Sequence, residues 1–286
     1  MNPLFYAWRA KHFVQVSAYS WRPKSGAAEK RIRDEFARFA VSIKLEDGAK
    51  GIPQPLYSEH WFEWDATHFQ RIHTFSATGS VTLPDGTVRR AGSAGAFLAM
   101  LRQLSAGLVY AGEPHSSAFM LSDSRMDALE TVIDCSQGPV LVAVFYKAEV
   151  AALLQRLSGR ARAFVGGTPA RERSQLIADW NRDRVPVLIA APGAMGHGIN
   201  LQHGSSRTIV WFTHTFDWAQ RAQFNARLVR SGQNKVVSII NLVGDAGIDR
   251  AVLSALAAKR VGEQAILEAL DIGRHLDLPE PSHVSA

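Results

Sequence analysis

The 286-residue chain is predicted to be an α/β protein, a parallel-sheet lobe preceded by a mainly helical segment. Three observations carry this. From about residue 122 onward, short apolar runs alternate with helix-forming stretches, the pattern that a parallel sheet with crossover helices requires. The runs at 140–144, 187–191, 208–212 and 236–243 are rich in Val and Ile and bounded by Gly or Pro, so they read as buried strands. Before residue 122 the periodicity is mostly helical.

Taken in order, Ile32, Phe36, Phe39 and Ile43 recur at helical spacing and predict a helix over about 27–40. The aromatics Phe5, Tyr6, Trp8 and Phe13 before it could stack on bases, but a small core or an interface is the better reading. Residues 51–55 form a Pro/Gly connection. A short strand over 60–64 precedes Asp65, which caps a helix to about 77. His68 and His73 lie five apart on that helix, the wrong spacing for a metal pair, and read as structural. Asp85-Gly86 between extended runs signals a hairpin. A helix follows over about 93–108, and another over 125–133 before the strand at 140–144.

A helix over 148–157 ends at Gly159, and a strand over 163–165 leads into Gly166-Gly167-Thr168-Pro169. Thr168 as N-cap and Pro169 at the first helical position predict a helix to about 181. Asp217 is the expected N-cap of a helix that carries Arg227 and Arg230 on one face and stops at Gly232. A helix over about 248–270 closes the pattern. Residues 274–286 are expected to be disordered.

Composition bounds the function. Hydrophobic residues make up 47% and charged residues 20%, as in a soluble globular protein. The net charge of +6, from 32 basic and 26 acidic residues, permits nucleic-acid binding without demanding it. Cys135 stands alone, which excludes a disulfide framework and a cysteine-based zinc site. No signal peptide opens the sequence and no apolar run reaches membrane-spanning length, so a cytoplasmic protein is expected.

Residues 186–233 concentrate the chemistry. Between two apolar runs lies a loop with Gly193, Gly196 and Gly198, followed by Asn200. Downstream, Gln223, Arg227, Arg230, Gly232 and Gln233 are spaced Q-x-x-x-R-x-x-R-x-G-Q. Two guanidinium forks at a strand-loop-helix edge suit a polyphosphate, because each can engage phosphate oxygens bidentately. An isolated Arg pair three apart would more simply be a solvated helix face. The complete frame together with G-x-G-x-N upstream argues against that.

PGAMGHGINLQHG and QFNARLVRSGQ resemble motifs V and VI of superfamily-two helicases of the Swi/Snf type, in the branch found in phages and prophages. The resemblance implies a RecA-like second helicase lobe over 119–273, with 1–118 as the tail of a first lobe and a helical bridge. It implies that Arg230 is an arginine finger and Arg227 its partner, neutralising charge in phosphoryl transfer. Gln223 would orient the site. Gly196, Gly198 and Asn200 would couple the nucleotide to the nucleic-acid track. His197 stands where the wider family often has an acid and reads as a variant, not a base. Lys147, Gly167 and Thr168 would touch the phosphate backbone of DNA, most simply duplex. Thr168 is equally well explained as a helix cap, and Arg171 and Arg173 as a solvated face.

The resemblance also shows what is missing. A motor of this kind binds ATP with Mg²⁺ through G-x-x-x-x-G-K-[ST] and an acidic strand end. Lys24-Ser25 is the one Lys-Ser/Thr pair, and it follows Pro23, with Ala18 where the first Gly should stand. Asp34-Glu35 lies in a helix-like stretch. The chain is therefore expected to be a fragment, one part of a split gene or a remnant, inactive in ATP hydrolysis without a first lobe carrying Walker A and B. A non-enzymatic nucleic-acid-binding remnant and a protein-interaction module are the alternatives. A dinucleotide loop is excluded because the order here is G-x-x-G-x-G with a strand, not a helix, following. No G-x-S-x-G supports a serine hydrolase.

Overall fold

The computed structural model describes residues 3–17, 20–36, 52–112, 117–195 and 198–257. It divides into two units, Met1–Lys50 and Gly51–Ala286.

The first unit holds α1 (Pro3–His12), β1 (Phe13–Ser17), β2 (Ser20–Pro23) and α2 (Gly26–Phe36), with β1 and β2 antiparallel. Trp8 packs on His12 and Phe13, and the Arg9 guanidinium lies 4.0 Å from the centroid of the Trp21 ring. Two of the four expected aromatics thus meet in a local cluster. The α1 helix and the hairpin have no counterpart in the sequence reading. The expected helix at 27–40 is present as α2, and its last four residues lie outside the described ones.

The second unit is built on one six-stranded sheet. Its strands are β3 (Leu56–Phe62), β8 (Val140–Ala143), β9 (Ala161–Phe164), β10 (Val187–Ala190), β11 (Thr208–Trp211) and β12 (Ser238–Gly244), ordered β3-β12-β11-β8-β10-β9 and all parallel. Alternation along each strand divides two cores. Val140, Val142, Val187, Ile189 and Val210 face α5 (Ser124–Cys135) and α6 (Lys147–Arg156). Leu141, Leu188, Ile209, Trp211 and Ile239 face α7 (Ala170–Trp180) and α8 (Trp218–Asn225). The α/β expectation holds, with the strands at 140, 187, 208 and 236 in place.

A satellite core sits at the β12 side. It comprises α3 (Ala66–Thr78), the β4–β5 hairpin (Ser80–Thr82, Val88–Arg90), α4 (Ala94–Ser105), and the β6–β7 pair (Leu108–Tyr110, Ala118–Met120). Ile72, Phe75, Phe97, Leu101 and Leu104 are its buried centre, with Ile248 of α9 (Ile248–Ala257) added. Asp65 caps α3 through the His68 amide at 2.9 Å. His68 is buried and its Nε2–H donates to the Leu104 carbonyl at 2.8 Å, the structural role expected of it.

β3 pairs with β12 along its whole length and belongs to the main sheet. Arg125 ties the satellite to that sheet. It is fully buried, bonded to the Asp249 carboxylate and the Phe212 carbonyl, with its guanidinium against the Phe62 and Trp64 rings. Residues 258–286, including the remainder of the expected helix to 270 and the tail, lie outside the described residues.

Candidate functional site

Parallel strands all point their C-terminal ends to one edge, where the loops are free to gather ligand groups. Here that edge carries Lys147 after β8, Gly167 and Thr168 after β9, the 191–200 loop after β10, and the 212–217 segment after β11. Because β10 lies between β8 and β9, its loop stands between Lys147 and Thr168.

The β10 loop begins with a short 3₁₀ turn, Pro192–Ala194, and buries Met195. Gly198 has φ +89°, a conformation that a side chain would strain. Asn200 is exposed. Gly196 and His197 lie outside the described residues. Gln220 of α8 approaches the loop: a Cβ on Gly193 would lie 3.6 Å from its Nε2. Gln223, the expected orienting residue, is exposed on α8. Gln220, whose Oε1 accepts from the Thr215 hydroxyl at 3.0 Å, is the α8 glutamine that lies against the loop. Only contact geometry distinguishes the two.

Asp217 caps α8 as expected, accepting from the Gln220 amide at 3.0 Å. The helix does not continue to Arg230. It ends at Asn225, whose Oδ1 accepts from the buried indole N–H of Trp211 at 3.0 Å. Beyond it the backbone tightens into three-residue turns, Arg227 N–H to Phe224 and Leu228 N–H to Asn225. The Arg227 carbonyl, freed from helical pairing, accepts from the Leu201 amide at 3.1 Å. Gly232, at φ +93°, closes the turn. This tertiary bond overrides the local helical preference, which the sequence alone did not reveal.

Both arginines reach the β10 loop. Arg227 Nη2 donates to the Met195 carbonyl at 3.5 Å and Arg230 Nη1 to the Ile199 carbonyl at 3.3 Å, both long bonds. Arg230 is half-buried. Arg227 is only 8% exposed, not solvent-facing as a free finger would be, and its Nε has no partner. Among the described residues neither forms an ion pair with a carboxylate. Burial first, and the Arg230 charge second, hold the Arg227 pKa below the ordinary arginine value.

Thr168 is not the N-cap of α7. That position falls to Pro169, and the Thr168 hydroxyl instead donates to the Val165 carbonyl at 3.0 Å, closing the turn after β9. Gly167 is exposed with φ +92°, and Lys147 is exposed at the start of α6. Glu149, the third residue of α6 and fully buried, reaches back to accept from the Phe145 and Tyr146 amides and also accepts from the Thr213 hydroxyl. Burial raises its pKa, against those hydrogen bonds. Arg173 is no solvated side chain: its Nε donates to the Thr168 carbonyl at 2.6 Å.

Under this edge lies a polar layer with no motif to announce it. His214 donates Nε2–H to the Leu242 carbonyl at 2.9 Å, Arg221 bonds the Asn241 amide oxygen and stacks 4.3 Å from the Trp211 ring centroid, and Asp249 holds Arg125. Burial brings the His214 pKa down to about 4, only partly opposed by Asp249.

No family model matches the chain. It is 27% identical over 249 residues to protein p41 of Acyrthosiphon pisum secondary endosymbiont phage 1, across 82% of this chain and 52% of that protein. The chain therefore spans about half the length of this curated relative. Its fold is similar to the crystal structure of the C-terminal part of the Fun30 ATPase domain, with a TM-score of 0.60 at 17% identity, covering 77% of this chain and 98% of that one. The second unit is thus an α/β RecA-like lobe, with the fold of that C-terminal ATPase part.

Proposed function

We propose that this chain is the second lobe of a Swi/Snf-type, DNA-dependent ATPase. In this reading Arg227 and Arg230 serve a nucleotide cleft, and Lys147, Gly167 and Thr168 meet the backbone of duplex DNA. The observation that carries it is the arginine pair. Two guanidiniums, one of them nine-tenths buried with an unpaired Nε, converge on one loop at the strand-end edge, with no carboxylate among the described residues to neutralise them. Burying cationic charge without a counter-ion is costly. An anion bridging the pair would cancel the Arg227–Arg230 repulsion and supply the counter-charge that the buried guanidinium lacks.

ATP with Mg²⁺ is the proposed ligand. The arginines fit its polyphosphate. Among the described residues no three His, Cys, Asp or Glu side chains form a group that could hold a metal by itself, and Mg²⁺ bound with a nucleotide needs only one or two carboxylates beside the phosphates. In this reading the phosphate cradle and the acid that holds Mg²⁺ come from a first lobe, supplied by another polypeptide or by sequence joined to this one. Within the assembly the forks would stabilise charge on the transferring phosphoryl group, while the edge loops report on DNA. Among the described residues no helix is long and apolar enough to cross a membrane, and no role at a membrane is proposed.

The test is hydrolysis. The chain alone should release no phosphate from ATP, with or without DNA. Adding a RecA-like lobe that carries a phosphate loop and an Asp-Glu motif should give DNA-stimulated turnover. Turnover by the chain alone would contradict the division of labour.

A further inference from the structure

α7 grips the turn after β9 at its start and, at its far end, the segment that returns from the β10 loop to β11. At its start, Arg173 Nε donates to the Thr168 carbonyl at 2.6 Å, with its guanidinium 5.6 Å from the Phe164 ring centroid. At its end, four bonds hold the chain that follows the β10 loop. Trp180 Nε1–H donates to the Leu201 carbonyl at 2.9 Å, and Asn181 Nδ2–H to the Asn200 carbonyl at 2.9 Å. Asn181 Oδ1 accepts from the His203 amide at 3.2 Å, and Asp183 Oδ1 from the Ser205 amide at 2.8 Å. Asp183 has φ +58°, the one non-glycine residue with positive φ among those described. The fit is close: a Cβ on Gly204 would lie 2.7 Å from Asp183 Oδ1 and 3.1 Å from the Trp180 carbonyl. Between the two grips, Leu176 and Trp180 are buried against the sheet.

We propose that α7 is a strut that couples the Gly167–Thr168 turn to the 198–205 segment and, through the Leu201–Arg227 bond, to the arginine pair, with Asn181 and Asp183 as its positioning residues. The inference rests on the proposed function for what presses on the Thr168 turn. An eleven-residue helix spans roughly 16 Å and is stiff along its axis. A shift at Thr168, gripped by Arg173, therefore moves the far end instead of being absorbed in a loop, because close-packed interiors transmit strain. At that far end the bonds are to backbone atoms of Asn200, Leu201, His203 and Ser205, so the motion sets main-chain position, not only side-chain pose. Asn tolerates positive φ and keeps the acceptor, whereas Ala does neither. Asp183→Asn should therefore preserve the grip that Asp183→Ala releases.

Hydrogen–deuterium exchange on the full chain, with and without a short blunt-ended DNA duplex at low ionic strength, tests this. In the wild type, duplex should slow exchange in 165–170 and also in 198–206. In Asn181→Ala/Asp183→Ala the first protection should persist and the second should be lost, and Asp183→Asn should behave as wild type. Asn181→Asp keeps the acceptor for His203 and loses only the bond to the Asn200 carbonyl. It should show the same loss at 198–206 should the double variant fail to fold. Protection of 198–206 that is equal in the wild type, in Asn181→Ala/Asp183→Ala and in Asn181→Asp, or absent in the wild type while 165–170 is protected, overturns the strut. No protection anywhere in the wild type overturns the DNA reading and the strut with it.

Discussion

The amide of Leu201 donates to the carbonyl of Arg227 at 3.1 Å, and this one bond joins the two segments on which the proposed chemistry depends. It fixes the loop after β10 against the turn after α8, so that Met195 and Ile199 lie within reach of the Arg227 and Arg230 side chains. A ligand that binds the arginines must compete with those two long carbonyl bonds, or replace them.

Arg227 should be a residue kept for function at the expense of stability. It is buried, has one long hydrogen bond and an unpaired Nε, and has no acidic partner among the described residues. Arg227→Met, which fills similar space without charge, should melt at the same temperature as wild type or higher. A thermal melt showing a clear drop would mean that the guanidinium is a structural brace.

The Arg125–Asp249 pair should behave in the opposite way. Arg125 is sealed among Phe62, Trp64 and Phe212, and Asp249 also accepts from the Gly244 amide at 2.9 Å. Asp249→Ala leaves an uncompensated buried cation and should destabilise by about 3–5 kcal/mol in urea unfolding. A loss under about 1 kcal/mol would show that the cluster is wet or already relaxed.

Acid should destabilise the lobe through His214. Its folded pKa of about 4 lies below the unfolded value of 6.5, so above 6.5 both states are neutral and it has no effect. As pH falls from 6.5 towards 4 the unfolded chain takes up a proton that the folded chain refuses. The resulting loss approaches about 3 kcal/mol and is complete below pH 4. Unfolding of His214→Gln, compared with wild type across that range, should show a flatter decline, since Gln can donate to the Leu242 carbonyl without titrating. Parallel curves would remove the assignment.

DNA binding, if the edge meets the phosphate backbone as proposed, should be weak, indifferent to sequence and steeply salt-dependent. Each neutralised phosphate contributes about 0.9 to the slope of log affinity against log salt. Titration of labelled duplexes of two sequences at two salt concentrations measures both properties. Binding that ignores salt, or that prefers one sequence strongly, contradicts the backbone reading.

Much of the lobe was legible because strand burial and helix caps are local. The Val- and Ile-rich runs at 140, 187 and 208 announced the sheet, and Asp65 and Asp217 announced two helices. What was hidden depends on partners distant in sequence. β3 carries exposed Leu56, Tyr57 and Trp61, so no buried run marked it as a strand of the main sheet. Thr168-Pro169 had the composition of a cap, but the hydroxyl found the Val165 carbonyl instead. The glycine and arginine spacings located the candidate edge. The early end of α8 was set by Trp211 and Leu201, and the buried position of Arg227 by the β10 loop, so neither could be read from spacing.

The central claim is that the arginine pair acts on a polyphosphate held by a first lobe, and turnover of the completed assembly with Arg230 changed tests it most directly. With a phosphate-loop lobe supplied, Arg230→Ala should lower DNA-stimulated hydrolysis by roughly 10³-fold or more, the scale typical of an arginine finger. Arg230→Lys should recover little of it, because a point charge cannot reproduce the planar fork. Wild-type turnover by the Arg230→Ala assembly would contradict the claim.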